Sequence, residues 1–141
     1  MSEQRRHIPH TLSVRVYYED TDAGGIAYHA SHVRFLERGR TEYLRSIGLD
    51  QSVLMSADHG KALLFVVRRM ELDYLKPAKL DEILTVTTLL REIGGAKLVL
   101  EQAILRGSET LLTAVVTAAS IGSNGKPMRI PPAVRQLFPA A

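Results

Sequence analysis

The chain has 141 residues, a formal net charge of +3, 45% hydrophobic and 23% charged residues, and no cysteine. That length suits one domain with a single core, and the missing cysteine excludes a disulfide framework, a thiolate nucleophile and a thiolate metal site. No run approaches the ~20 apolar residues that span a bilayer, and the polar start from Met1 to His10 carries Arg5 and Arg6 without the apolar stretch of a secretory signal, so a cytoplasmic protein is expected. The basic residues are scattered, aromatics make up 6% and tryptophan is absent, which argues for a small anionic ligand over a nucleic acid.

In chain order, Leu12, Val14, Val16 and Tyr18 alternate with polar neighbours and predict a half-buried strand, and 20–25 reads as a polar, glycine-bearing turn. From about Ser31 the period becomes helical: Val33, Leu36, Tyr43, Leu44 and Ile47 mark an apolar stripe. Gly48 is placed as the left-handed residue after the last turn, with Leu49 folding back. Gly39 inside this helix costs about 1 kcal/mol relative to Ala, which close approach to a sheet would offset.

The stretch 50–61 reads as an irregular connection. Strands are expected over 63–74, 83–90, 98–106 and 111–121, with Gly94-Gly95 and Gly107-Ser108 as hairpin turns. The last strand is apolar or small on both faces, so it should be central and covered on both sides. This order gives an α+β domain, one antiparallel sheet of about five strands curled around one long helix, with an outer sheet face open to pairing between subunits. The whole of 1–141 forms one domain in this reading, with 1–10 and 133–141 as peripheral tails.

Chemistry concentrates between Tyr17 and His32, where the first strand meets the helix start. Asp20 and Asp22, then Gly24-Gly25, precede the free N–H groups of a helix N-terminus, which can polarise a carbonyl beside an attacking or deprotonating carboxylate. Spacing leaves two readings open, because acids before a helix also serve as caps and dipole partners. Asp20 reads as an ordering residue of the turn. His29 and His32, three apart with Asp22 nearby, have the spacing of a metal site on paper, but no third ligand is specified and no metal is expected. Glu37 reads as an ion-pair partner of Arg34 or Arg40.

The run Glu19-Asp20-Thr21-Asp22-Ala23-Gly24-Gly25, followed by Tyr28-His29, resembles the signature of hotdog-fold acyl-CoA thioesterases of the 4-hydroxybenzoyl-CoA thioesterase type, closest to the tol-pal-associated acyl-CoA thioesterases. The likeness continues through Phe35-Leu36-Glu37-Arg38, Phe65 to Met70, Tyr74, Pro77-Ala78 and Leu80-Asp81, and thins at both ends. It implies a hotdog fold, hydrolysis of an acyl-CoA or acyl-carrier-protein thioester without cofactor, and Asp22 as nucleophile or general base. It places His29 where a backbone N–H polarises the thioester carbonyl, with an active-site role for its side chain in the closest subgroup, and puts Gly25 and Tyr28 along the acyl tunnel. It also implies a homodimer or homotetramer, with the pantetheine arm between subunits and peripheral membrane-associated partners.

Position 32, usually aromatic in the family, is histidine here. For the coenzyme A phosphates, related enzymes use a basic cluster near a later hairpin tip. Here that tip offers Arg91 and Lys97 around glycines, and Arg68 is the alternative. The rival reading is a non-catalytic hotdog module that binds acyl carrier protein or lipid-synthesis partners at the membrane surface.

Overall fold

A computed structural model describes residues 8–50 and 62–139. Strand β1 (His10–Arg15) leads through a short 3-10 turn (Tyr18–Asp20) to helix α1 (His29–Ser46). Strands β2 (Leu63–Tyr74), β3 (Ile83–Ile93), β4 (Lys97–Arg106) and β5 (Glu109–Gly122) follow, then a single turn, α2 (Pro132–Arg135). The five strands form one antiparallel sheet in the order β1-β3-β4-β5-β2. No helix among the described residues is long and apolar enough to cross a membrane.

Alternation dictates which face of the sheet meets the helix. Leu84, Val86 and Thr88 of β3, and Leu112, Ala114, Val116 and Ala118 of β5, point inward and are buried. Of these, Leu84, Val86, Leu112, Ala114 and Val116 close on Phe35 and Leu36 of α1 in one apolar cluster, while Tyr43 and Leu44 join Leu90, Leu98 and Leu100 in a second. Gly48, at φ 97°, ends α1 as expected: Leu49 N–H donates to the Leu44 carbonyl at 2.8 Å and Gly48 N–H to that of Arg45 at 3.1 Å.

Three expectations change. The first strand ends at Arg15, and Tyr18, read as inward-facing, is 83% exposed because the chain has already turned into its 3-10 segment. The last strand is interior, but β4 is the middle strand, and the outer face of β5 is only half covered in the single chain. Of the stretch 133–141 expected as a tail, the described part, 133–139, packs inward: Phe138 is buried, and with Val134 it lies against the Tyr43 and Leu44 cluster, because α1 and β4 leave that end of the core open. The irregular connection expected over 50–61 lies outside the described residues beyond Asp50.

Helix α1 is pinned to the sheet where its glycine sits. Gln102, buried on β4, donates through Nε2 to the Leu36 carbonyl at 3.0 Å and to Thr88 Oγ1 at 2.9 Å, and accepts Arg40 Nη1 at 3.1 Å. A Cβ on Gly39 would stand 2.6 Å from Val86 Cγ1 and 3.1 Å from Gln102 Nε2. Gly39→Ala should therefore destabilise the fold by about 1–3 kcal/mol despite its better helix propensity. Val86→Ala in the same chain should recover part of that loss in urea denaturation. Equal or greater stability of the single variant would contradict the close approach.

Candidate active site

The loop between β1 and α1 is strapped down from both sides. Val16 N–H donates to the Glu82 carbonyl and Asp81 N–H to that of Val16, each at 2.9 Å, extending the pairing of β1 with β3. Thr21 bridges Ala27, closing a tight loop in which Gly25 takes a positive φ of 77°. Ala27 N–H donates to the Ala78 carbonyl at 2.8 Å, and Ile26 bridges Lys79. The segment before β3 thus holds the loop against the end of the sheet.

Asp20 organises the joint, as its place in the turn suggests. It is 3% exposed; its Oδ2 accepts the Tyr17 N–H at 2.8 Å, and its Oδ1 lies 3.4 Å from Arg34 Nη2. Its main-chain carbonyl accepts both the Tyr28 N–H at 2.8 Å and the Ser31 hydroxyl at 2.9 Å. Because Arg34 turns back to Asp20 and Ser31, and Arg40 reaches Gln102, the expected direct pairing of Glu37 with either arginine gives way to a Coulombic influence on Arg40 alone.

This joint opens onto a pocket of about 370 Å³, walled by Asp22, Ile26, Ala27, His29, His32, Tyr74, Leu75, Lys76 and Pro77. Asp22 is exposed, and its Oδ1 accepts the Gly24 N–H at 2.8 Å, which fixes the carboxylate relative to its own loop. His29 and Ala30 occupy the first two helical positions, where N–H groups have no partner within the helix and the positive end of the helix dipole emerges. Tyr74 donates its hydroxyl to the His29 carbonyl at 2.7 Å, tying the end of β2 to the helix start. The His29 imidazole lies 4.3 Å from the Tyr28 ring and 6.5 Å from that of Tyr74 between centroids.

Beneath His29, His32 is 3% exposed, with Nδ1 3.3 Å from the Tyr28 carbonyl. Burial pushes its pKa below the usual imidazole value, outweighing the backbone carbonyls that favour the charged form. Among the described residues no group of three His, Cys, Asp or Glu side chains is arranged to hold a metal ion.

The other residues singled out from the sequence sit elsewhere. Gly25 and Tyr28 are exposed beside the loop and are not among the pocket's wall residues. Arg68 lies at a register shift in β2, exposed on the sheet edge. Arg91 and Lys97 flank the β3–β4 hairpin, where they pair with Glu101 at 3.5 Å and Glu92 at 3.6 Å. Arg91 stands eight residues along β3 from Ile83, so that hairpin lies roughly 25 Å along the strand from the Asp22 loop of the same chain.

Sequence reasoning missed two groups. Tyr74 and Lys76 enter the pocket wall because β2 ends beside the helix start. Arg129 and Arg135 fold over the glycines of the hairpin: Arg135 donates to the Gly94 carbonyl at 2.6 Å, and a Cβ on Gly95 would meet Arg129 Nη1 at 3.0 Å. The two consecutive glycines were the available signal that something packs on the tip.

Comparison with known proteins bears on this geometry. Residues 24–113 match the family model described as the thioesterase superfamily. The acyl-CoA thioesterase YbgC of Haemophilus influenzae is 43% identical over 129 residues, 91% of this chain and 93% of that protein. The acyl-CoA thioester hydrolase YbgC of Escherichia coli O6:H1 is 48% identical over 99 residues, 70% and 71% of the two chains. A crystal structure of a probable thioesterase from Bartonella henselae superposes with a TM-score of 0.85 at 44% identity, covering 88% of this chain and all of the other (100%). With the five-stranded sheet around one long helix, these matches establish that the chain belongs to the hotdog-fold thioesterase superfamily.

Proposed function

We propose that the chain hydrolyses acyl-CoA thioesters, with Asp22 as the reacting carboxylate and the opening amides of α1 as the electrophilic element. The observation that carries this reading is that Asp22 and His29 wall one pocket at a helix N-terminus. A thioester carbonyl lodged there would direct its oxygen at the His29 N–H, so the developing negative charge meets a fixed donor and the helix dipole. Asp22 then attacks the carbonyl carbon and the thiolate leaves, after which water cleaves the mixed anhydride to the free acid and restores the carboxylate; or Asp22 removes a proton from the water that attacks, and the thiolate leaves directly. The His29 imidazole, exposed between Tyr28 and Tyr74, is the group available to protonate that thiolate.

The pantetheine arm needs a wall that the single chain lacks, and β2 is an open edge strand with Val66 and Val67 exposed. Two copies paired along β2 about a twofold axis would set the Tyr74 end of one strand beside the Leu63 end of the other. Val66 is level with Ala119, and Ala119 with Lys97, so this pairing carries the partner's hairpin end toward the first subunit's pocket. In that homodimer Lys97, Arg91 and Arg129 of one subunit serve the coenzyme A phosphates bound at the other, with Arg68 near the seam. Coenzyme A is the favoured carrier, the working location is the cytoplasm, and any tol-pal or membrane-surface partner would be peripheral.

Asp22→Asn should lower kcat on a good acyl-CoA by at least about a hundredfold with unchanged circular dichroism and oligomeric state. Wild-type turnover by that variant would end the mechanism. In a single turnover in ¹⁸O-water, label in the Asp22 carboxylate would show attack by Asp22 followed by opening of the mixed anhydride at the aspartyl carbon, which base catalysis does not produce. Asp20→Ala, acting through the joint, should cost about 1–2 kcal/mol in stability and lower kcat less than Asp22→Asn, with Asp20→Asn recovering part of both. Arg129→Ala should raise KM for an acyl-CoA several-fold and leave KM for the corresponding acyl-pantetheine unchanged. An equal change in both would remove Arg129 from phosphate binding.

A further inference from the structure

His32 is a buried polar group that the reaction as described does not use. It stands one turn beyond His29 on α1, a rise of ~4.5 Å, and walls the same pocket as Asp22. A carbonyl can only accept, so the 3.3 Å contact with the Tyr28 carbonyl puts the proton on Nδ1. Burial keeps the ring neutral, which leaves Nε2 as a bare acceptor. Among the described residues that Nε2 is fully buried without a hydrogen-bond partner.

The ring is held in place by a near-perpendicular contact with Tyr74 at 5.2 Å and a tilted edge contact, at 62°, with Phe35 at 6.2 Å between centroids. A phenyl ring would fill this space without stranding a lone pair, so the unmet acceptor calls for an explanation. The remaining polar side chains of the wall have other partners or roles: the Tyr74 hydroxyl donates to the His29 carbonyl, Lys76 pairs with Glu109, and Asp22 and His29 serve the proposed chemistry. Ile26, Ala27, Leu75 and Pro77 supply the apolar wall for a carbon chain.

We propose that His32 Nε2 accepts a hydrogen bond from a hydroxyl on the acyl group, and that it sets a preference for 3-hydroxyacyl thioesters. The proposal rests on the helix start being the reacting centre. With the carbonyl oxygen at the His29 amide, the third carbon of the chain comes level with an acceptor one turn along the helix, and a small shift of the pocket wall opens the buried Nε2 to its hydroxyl. An unsubstituted chain would leave the acceptor buried and unmet, and a site built to bond a hydroxyl discriminates against the analogue lacking it.

The test compares kcat/KM for 3-hydroxybutyryl-CoA with butyryl-CoA, and 3-hydroxyoctanoyl-CoA with octanoyl-CoA, in the full-length wild type and in His32→Phe. The wild type should favour each hydroxylated substrate by about tenfold or more, and His32→Phe should bring both ratios near one, whatever its absolute rate on the plain acyl-CoA. Wild-type ratios near one at both lengths, or equal losses on both members of a pair in His32→Phe, would overturn the proposal. Should His32→Phe fail to fold, ¹⁵N spectra of the wild-type imidazoles with non-hydrolysable thioether analogues decide. The His32 Nε2 resonance should shift with the 3-hydroxyacyl analogue and not with its deoxy counterpart, and equal shifts would overturn it. Turnover of plain acyl-CoA by the wild type, lost in Asp22→Asn, keeps the catalytic reading separately testable.

Discussion

The carboxylate of Asp20 is buried at the point where the first strand hands over to the helix. One oxygen holds the amide of Tyr17 behind it and the other faces the guanidinium of Arg34 ahead of it. Its own carbonyl ties the first residues of α1 back to the turn through Tyr28 and Ser31. Strand end, loop and helix start therefore form one unit, and Asp22, two residues along, has little choice about which way it faces. A carboxylate and a helix terminus are each common; in the proposed reaction their value would come from being fixed with respect to one another, because electrostatic stabilisation of a developing charge depends on donors already in position.

Rigidity at the helix start is inherited from the body of the helix. Gly39 brings α1 close enough to β3 and β4 for Gln102 to bond a helix carbonyl, a threonine hydroxyl and an arginine at once. A buried amide with its groups satisfied specifies one docking of helix on sheet, whereas apolar contact alone tolerates sliding. Apolar clusters on both sides of that point prevent the helix from rocking. The site at one end of α1 and the C-terminal segment packed at the other are thus parts of one scaffold.

The single chain leaves work for a second copy. Its pocket is open, its edge strand β2 is unpaired among the described residues, and the cations proposed for the phosphates, Arg91, Lys97 and Arg129, sit at a hairpin far from its own Asp22. Pairing along β2 would answer all three at once, which is why the proposed reaction is written for a homodimer. His32 adds a finer distinction to this site: beside the proposed reacting groups it places a buried acceptor that has no hydrogen-bond partner among the described residues.

Much of this was legible in the sequence, for a physical reason. Period-two and period-3.6 patterns report which face of each element is buried, so the long helix and the strands from Leu63 to Ile121 could be placed closely, and the Gly48 cap follows from local backbone preference. The density of Asp22, Gly24, Gly25 and His29 within one turn also marked the loop, since those contacts are local in the chain. What the sequence could not supply were relations between residues far apart in it. That Tyr18 turns outward, that Phe138 enters the core, that Arg40 meets Gln102 and not Glu37, that Tyr74 closes the pocket and that Arg129 covers the Gly94-Gly95 tip all depend on which strands become neighbours. Local patterns fix what each segment is; only closing the sheet around the helix fixes what each side chain meets, because burial and hydrogen-bond partners are properties of the packed whole.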